Sequence, residues 1–205
     1  AFVRDGQIVM RLNGEEKNIC AAEDVKIPGP HNLENALAAT AVAYSRGVPA
    51  PVIRHALRTF AGVEHRIEFV RELEGVRYIN DSKGTNVDST IKAVQSMRLP
   101  TAIILGGYDK HVSFTALAEE IQRTPLIRAC MLIGATADQI EAALRQAGYA
   151  AVFRADTLEQ AVKDCRRLMA EGGNVLFSPA CASFDMFEDY EQRGRIFKQI
   201  VNDLQ

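Results

Sequence analysis

Apolar and polar residues alternate over the first thirty positions of the chain. Two dipeptides typical of tight turns, Asp5-Gly6 and Asn13-Gly14, interrupt this alternation. A period of two residues is typical of a strand with one buried face, and both dipeptides favour hairpin turns. The pattern therefore predicts short antiparallel strands in a hairpin or meander. Pro28-Gly29-Pro30 is expected to break the chain after them.

A helical period follows this break. Apolar residues recur every three or four positions over residues 31–46, and Gly47 closes the segment. Pro51 suits the first turn of a helix, where its missing N–H is not needed. The pattern predicts one long helix over residues 31–46 and a shorter one over residues 52–60.

From about residue 62 the chain alternates short apolar runs with helical segments. The predicted strands are residues 67–73, 76–79, 102–105, 130–133, 151–153 and 175–177, and the last four are expected to be buried. The predicted helices are residues 87–97, 114–122, 137–147, 158–170 and 184–201. This alternation predicts an α/β fold with a doubly wound, mostly parallel sheet that has helices on both faces. The boundary with the preceding unit is expected at residues 60–64.

Composition narrows the class of protein. The 205 residues are 47% hydrophobic and 24% charged, which is typical of a globular protein of one to two domains. A net charge of −2, with Lys and Arg spread along the chain, argues against a nucleic-acid partner. Apolar runs fall short of the roughly 18 residues of a membrane span, and the N-terminus lacks a signal-peptide pattern. We therefore expect a cytoplasmic protein with no membrane insertion.

The four cysteines point away from a redox or metal site. Cys20, Cys130, Cys165 and Cys181 form no CxxC pair and have no histidine at zinc-finger spacing. They are expected to be reduced thiols, and no metal ligands are predicted.

Polar residues gather directly after four of the predicted strands. These junctions are residues 80–86, 106–110, 134–136 and 178–183. Because ligands of open parallel sheets bind at the carboxyl ends of the strands, one edge of the sheet is a candidate site for phosphates and carboxylates. Each junction also has a structural explanation. Helix capping explains Asp81, Ser82, Thr85 and Ser183, a tight turn explains Gly106-Gly107, and solvation explains Lys110.

Two nucleotide-binding patterns are missing from the sequence. Neither GxxxxGK[ST], whose backbone cradles phosphates, nor GxGxxG occurs. The chain alone is therefore expected to be catalytically inactive.

Five segments resemble, in order, the motifs of the Mur ligases. They are Pro30-His31-Asn32-xx-Asn35, Glu64-His65-Arg66-x-Glu68, Asn80-Asp81-Ser82-Lys83-x-Thr85-Asn86, Leu105-Gly106-Gly107-x-Asp109-Lys110 and Ser178-Pro179-Ala180-Cys181-Ala182-Ser183-Phe184-Asp185. The first two are shared, in looser form, with folylpolyglutamate synthases. The last, followed by Glu191-x-Arg193-Gly194, resembles the branch that adds D-glutamate. The resemblance covers essentially the whole chain.

The resemblance implies a domain organisation. Residues 1–60 would be the end of a central ATP-binding domain, contributing its last strands and helices. Residues 61–205 would be a Rossmann-like C-terminal domain that brings the amino acid. The family's phosphate loop, its magnesium-binding Glu and His and its carbamylated lysine lie upstream of this chain, so none of them is assigned here.

The resemblance also implies an activity. It is ATP-dependent joining of D-glutamate to UDP-N-acetylmuramoyl-L-alanine through an acyl phosphate, in peptidoglycan precursor synthesis, with ATP and Mg²⁺ as cofactors. We expect a monomer. Two alternatives stay open: a folylpolyglutamate synthase-like ligase, and a non-catalytic module that binds a nucleotide or an amino acid.

Nucleotide contacts follow from the same resemblance. Asn32 and Asn35 match positions that bind adenine, and Asp81 matches the carboxylate that binds the ribose hydroxyls. Arg66 matches a phosphate contact, and Lys83 a phosphate or substrate contact. Arg66 and Lys83 are the predicted catalytic residues.

The predicted D-glutamate contacts are Thr85, Lys110, Ser183, Phe184 and Tyr190. Tyr190 departs from the Phe that the family pattern leads us to expect, and Gly84 stands where Ala is common. For His65, a structural and an active role remain equally open.

Overall fold

The computed structural model describes residues 1–27 and 29–205. Its contacts divide the chain into two compact units, Ala1–Gly62 and Val63–Gln205. The break predicted at Pro28-Gly29-Pro30 includes Pro28, which lies outside the described residues. Pro30 itself is the first residue of a helix, where its fixed φ fits.

The first unit begins with a three-stranded antiparallel sheet in the order β1-β2-β3. Its strands are β1 (Phe2–Arg4), β2 (Gln7–Leu12) and β3 (Glu15–Ala21). Both connecting turns have two successive residues with positive φ, at Asp5-Gly6 and at Asn13-Gly14. A two-residue turn with positive φ at both positions matches the right-handed twist of the flanking strands. The predicted meander is confirmed.

Two helices complete this unit, α1 (Pro30–Ser45) and α2 (Ala50–Thr59). They lie within one or two residues of the predicted ends. Their apolar faces pack on the sheet around a core of Ile8, Met10, Ile19, Cys20, Ala50 and Ile53.

The second unit is built on a six-stranded sheet in the order β4-β5-β9-β6-β7-β8. Its strands are β4 (Glu68–Leu73), β5 (Val76–Asn80), β6 (Thr101–Leu105), β7 (Ile127–Leu132), β8 (Val152–Arg154) and β9 (Gly173–Phe177). The hairpin partner β4 is antiparallel to β5, and the other five strands run parallel. The predicted mostly parallel sheet is confirmed.

Helices cover both faces of this sheet, as predicted for a doubly wound fold. They are α3 (Val87–Ser96), α4 (Thr115–Arg123), α5 (Ala137–Gln146), α6 (Leu158–Leu168) and α7 (Tyr190–Asp203). The first three share a buried apolar cluster with one face of the sheet, and α6 and α7 share another with the opposite face. None of the helices in residues 1–27 and 29–205 combines the length and apolar character that a membrane crossing requires.

Two predicted elements need correction. The strand expected to be buried at residues 151–153 is β8, an edge strand that pairs only with β7, and Phe153 is 41% exposed. The helix expected from residue 184 begins only at Tyr190. The Ser183 carbonyl accepts backbone hydrogen bonds from Met186 and Phe187, which form a turn. The Asp189 side chain then caps α7 by accepting from the Gln192 amide at 2.6 Å.

Candidate functional site

The carboxyl ends of four parallel strands form one edge of the second unit, here called the carboxyl edge. Asn80 of β5 and Ile104 of β6 both lie opposite Phe177 of β9, and Leu105 lies opposite Leu132 of β7. The segments that follow these strands therefore start side by side. They are residues 81–86, 106–114, 133–136 and 178–189, which include the predicted junctions except Asn80, the last residue of β5.

A buried arginine ties two of these segments together. Arg193 of α7 is 0% exposed. Its Nε donates to the Ser82 hydroxyl at 3.0 Å and its Nη2 to the Ser82 carbonyl at 2.8 Å. Its Nη1 donates to the carbonyls of Cys181 and Ala182, both at 3.1 Å. Burial lowers the pKa of Arg193 to about 10, which leaves the guanidinium charged at neutral pH.

Asp81, the predicted ribose contact, lies inside this edge and is 4% exposed. Its Oδ2 accepts from the Ser178 hydroxyl at 2.6 Å, and its Oδ1 accepts from the Ile67 amide at 3.1 Å. Burial raises the pKa of Asp81 to about 7, against these two hydrogen bonds and the charges of Arg66 and Arg193. Asp81 therefore changes its charge near neutral pH.

The two predicted phosphate contacts are solvent-exposed. The Lys83 ammonium lies 5.7 Å from the centroid of the Tyr190 ring. The positive charge of Arg66 acts on the Asp81 carboxylate and favours its ionised form. The side chains of Arg66 and Lys83 thus present positive charge to solvent near the carboxyl edge.

His65 is buried in a network of structural hydrogen bonds. Its Nδ1 lies 2.9 Å from the Asn80 amide nitrogen, and Glu68 Oε2 accepts from that amide and from the His65 backbone N–H, both at 3.0 Å. The ring packs against Gly194, where an added Cβ would lie 2.2 Å from His65 Nδ1. These contacts favour the structural role for His65 and explain why glycine follows Arg193.

One group of residues in the described part of the chain has metal-ligand spacing. Ligand atoms of Glu64, His65 and Glu68 lie within 4.8 Å of one another. The Lys198 ammonium donates to Glu64 at 3.0 Å and to Glu68 at 2.7 Å. Lys198 thus neutralises these carboxylates directly.

A cavity of about 330 Å³ opens at the carboxyl edge. Thr85 and Lys110, two of the predicted D-glutamate contacts, both line it, and the Lys110 ammonium donates to the Thr85 carbonyl at 3.1 Å. Its other lining residues are Asn86, Val87, Asp88, Tyr108, Val112, Ser113, Phe114, Ala180 and Cys181. A cation and hydroxyls beside apolar walls suit a small ligand with a carboxylate and a short aliphatic part.

The other three predicted D-glutamate contacts do not line this cavity. Ser183 is buried at the turn before α7, and Tyr190 begins α7 with its ring edge-to-face against His65 at 6.3 Å. Phe184 is 66% exposed and contacts Tyr108, a lining residue, edge-to-face at 6.1 Å. Of the five, the cavity brings together only Thr85 and Lys110.

The predicted adenine contacts belong to the first unit. Asn32 and Asn35 lie one turn apart in α1, and the Asn35 amide donates to the Asn32 side-chain oxygen at 3.3 Å. Asn32 is buried and Asn35 is exposed.

Residues 65–181 match the family model of the Mur ligase glutamate ligase domain. The chain belongs to the Mur ligase family. The matched segment is more than half of the chain and contains the junctions at residues 80–86 and 106–110. The resemblance seen in the sequence is therefore confirmed.

Several curated relatives of this Mur ligase chain are named UDP-N-acetylmuramoylalanine--D-glutamate ligase. The protein from Thermoanaerobacter sp. (strain X514) is 48% identical over 206 residues, which cover 100% of this chain and 45% of the relative. The protein from Clostridioides difficile (strain 630) is 47% identical over 99% of this chain and 44% of the relative. The chain thus spans less than half the length of these relatives.

Solved structures of other Mur ligases share the fold. UDP-N-acetylmuramate-alanine ligase MurC from Thermotoga maritima aligns with a TM-score of 0.62 at 19% identity, over 92% of this chain and 40% of that one. A pseudomurein peptide ligase type C from Methanothermus fervidus aligns with a TM-score of 0.65 at 16% identity, over 99% of this chain and 41% of that one. At such identities these likenesses show the fold alone.

Two features of this Mur ligase site were not predicted from its sequence. Arg193 and Ser178 both belong to sequence motifs, but no sequence pattern assigns a role to either residue. The motif shows a charged residue next to a glycine, but the importance of Arg193 depends on its hydrogen bonds to Ser82, which is 111 positions away.

Proposed function

We propose that the chain is the C-terminal part of an ATP-dependent ligase that joins D-glutamate to UDP-N-acetylmuramoyl-L-alanine, a step of peptidoglycan precursor synthesis. The identity of 45–48% to proteins of that name, over the whole chain, supports the reaction. The observation in the molecule that carries the proposal is the cavity shared by Lys110 and Thr85. The first unit would be the end of the central ATP-binding domain, and the second the Rossmann-like domain that brings the amino acid.

The proposed reaction has two steps. The substrate carboxylate takes the γ-phosphoryl group of ATP and releases ADP. The neutral amine of D-glutamate then attacks the carbonyl carbon of the acyl phosphate. Phosphate leaves with the electron pair of the broken C–O bond, and the nitrogen gives up one proton to solvent as the amide forms. Such chemistry needs correct positioning of the reactants and neutralisation of phosphate charge more than a nucleophilic side chain.

The amino acid would be held at the carboxyl edge. The Lys110 ammonium would bind a carboxylate of D-glutamate, and the hydroxyls of Thr85 and Ser183 would donate hydrogen bonds to it. The rings of Phe184 and Tyr190 would form the outer wall. Holding D-glutamate through a carboxylate leaves its amine as the group free to attack.

The proposed nucleotide contacts follow from the family resemblance. Asn32 and Asn35 would hydrogen-bond adenine, since an amide offers both a donor and an acceptor. Asp81 would accept from the ribose hydroxyls, and Arg66 and Lys83 would neutralise phosphate oxygens. Mg²⁺ bound with ATP would supply further neutralisation, and its ligands are expected outside this chain.

Substitution of Lys110 in the full-length ligase tests the proposal. Lys110→Ala should raise the KM for D-glutamate by more than tenfold, because a charge-assisted hydrogen bond contributes about 1.5–3 kcal/mol. The KM for ATP should change little. The exposed Lys92, on α3, provides the control in Lys92→Ala. Equal increases in both KM values would contradict the role of Lys110.

The alternatives make different predictions. A folylpolyglutamate synthase-like ligase would prefer L-glutamate, and a non-catalytic module would bind a ligand without turnover in any context. We propose that the isolated chain forms no amide and releases no phosphate from ATP above background. Phosphate release by the isolated chain that is lost in Lys83→Ala would contradict this. The proposed protein acts in the cytoplasm as a monomer.

A further inference from the structure

A buried hydroxyl contacts the Asp81 carboxylate at the centre of the carboxyl edge. Ser178 is the first residue after β9, and Asp81 is the first after β5, and these two strands are neighbours in the sheet. Ser178 is 0% exposed, and its hydroxyl donates to Asp81 Oδ2 at 2.6 Å. A charge-assisted O–H···O⁻ bond of this length is among the stronger hydrogen bonds in proteins.

The Ser178 hydroxyl also contacts α3. Its Oγ lies 3.0 Å from the Thr90 Oγ1. Because the Ser178 hydroxyl carries one proton, the shorter bond to the carboxylate takes it. The Thr90 hydroxyl donates to the Ser178 carbonyl at 3.4 Å. Among the described residues Thr90 thus contacts Ser178 but makes no hydrogen bond to the carboxylate, which makes Thr90→Val a matched control.

Gly84 provides the space that this contact occupies. A Cβ at Gly84 would lie 2.6 Å from Asp81 Oδ2 and 2.8 Å from Ser178 Oγ. The Gly84 amide also donates to the Asp81 carbonyl at 2.8 Å. The backbone at Gly84 lies outside the positive-φ region, so an alanine there would meet crowding rather than backbone strain, and the two polar groups would have to move apart.

We infer that Ser178 is a positioning residue that orients the Asp81 carboxylate and keeps it in its ionised form. The charged groups acting on the carboxylate are Arg66, which precedes β4, and Arg193, in α7. Burial raises the pKa of Asp81, and the hydrogen bond from Ser178 is the strongest of the interactions that lower it. The consequence for nucleotide binding rests on the proposed function of Asp81.

The first test is the titration of the Asp81 carboxyl carbon, followed by ¹³C NMR in this 205-residue chain without nucleotide. Ser178→Ala should raise the titration midpoint by about one pH unit, since it removes a hydrogen bond to the charged form only. Thr90→Val should shift it by much less. An unchanged midpoint in Ser178→Ala would overturn the inference.

Gly84→Ala gives a second, independent test, which decides the matter if Ser178→Ala fails to fold. It keeps both polar groups and crowds them apart, so its midpoint should also rise. A midpoint equal to that of the wild type would overturn the close contact of Ser178 with Asp81 on which the inference depends.

The consequence for ATP is measured in the full-length ligase. The KM for ATP should rise as the pH falls and Asp81 gains a proton. In Ser178→Ala this rise should begin about one pH unit higher, while the KM for D-glutamate keeps its wild-type pH profile. A shifted Asp81 titration with an unshifted KM profile would overturn the link to nucleotide binding. An Asp81→Ala ligase with a normal KM for ATP would instead contradict the proposed ribose contact.

Discussion

The guanidinium of Arg193 binds Ser82 twice, at its hydroxyl and at its carbonyl. A third nitrogen of the same group binds the carbonyls of Cys181 and Ala182. One side chain therefore fixes the segment that leads to Thr85 relative to the segment that leads to Ser183. The relative position of two proposed D-glutamate contacts thus depends on a residue outside the cavity wall.

Arg193→Lys should lower both stability and substrate affinity. A lysine cannot reproduce the planar fork of donors, and partners left without a hydrogen bond in a buried site are costly. We expect a loss of about 3 kcal/mol in the free energy of unfolding, measured by urea denaturation. In the full-length ligase the KM for D-glutamate should also rise.

The control for this change is Arg195→Lys, at an exposed position two residues along α7. It should have little effect on either measurement. An Arg193→Lys protein as stable as Arg195→Lys would contradict the structural role of the guanidinium.

Gly194→Ala should destabilise the chain although alanine favours helices. The helix propensity of alanine would contribute about 1 kcal/mol in favour of folding. Against this, the new Cβ would lie 2.2 Å from the ring of buried His65. Overpacking typically costs about 1–3 kcal/mol, and this contact is severe, so we expect a net loss in urea denaturation.

Gln199→Ala, at an exposed position of the same helix, isolates the propensity effect and should be neutral or slightly stabilising. A Gly194→Ala chain that gains stability to the same extent would show that α7 does not pack against His65 as described.

Asp81 should make the stability of the chain depend on pH. Its folded-state pKa is about 7, above the ordinary value of 3.8. The folded state therefore holds this proton more tightly than the unfolded state, so the contribution of Asp81 is most favourable at low pH. It is lost as the pH rises from about 4 to about 7, by at most about 4 kcal/mol, and is constant at higher pH.

Asp81→Asn removes this titration. The free energy of unfolding of the variant, minus that of the wild type, should increase from about pH 4 to about pH 7 and then level off. Asp156→Asn, at an exposed carboxylate, serves as the control. A difference that is flat across this range would contradict the burial of the Asp81 carboxylate.

Periodicity in the sequence predicted most of the elements, because local patterns determine which face of a strand or helix is apolar. The start of α7 was missed since the apolar spacing continues upstream of the cap at Asp189. The exposure of β8 was missed because its position at the sheet edge depends on strand order, which no local pattern contains.

The candidate site was predictable in outline for a similar reason. The junctions had to share one edge of the sheet, and Thr85 and Lys110 do meet there. The role of Arg193 and the bond between Ser178 and Asp81 depend on side chains about a hundred positions apart in the sequence. Such pairings follow from the folded topology alone.

The most direct test of the central claim is an NMR titration of this chain with D-glutamate, with L-glutamate as the control. The proposed function predicts saturable, D-selective shifts of the amide signals of Thr85, Lys110 and Ser183. L-selective shifts at these residues, or D-glutamate shifts confined to residues away from the carboxyl edge, would contradict it.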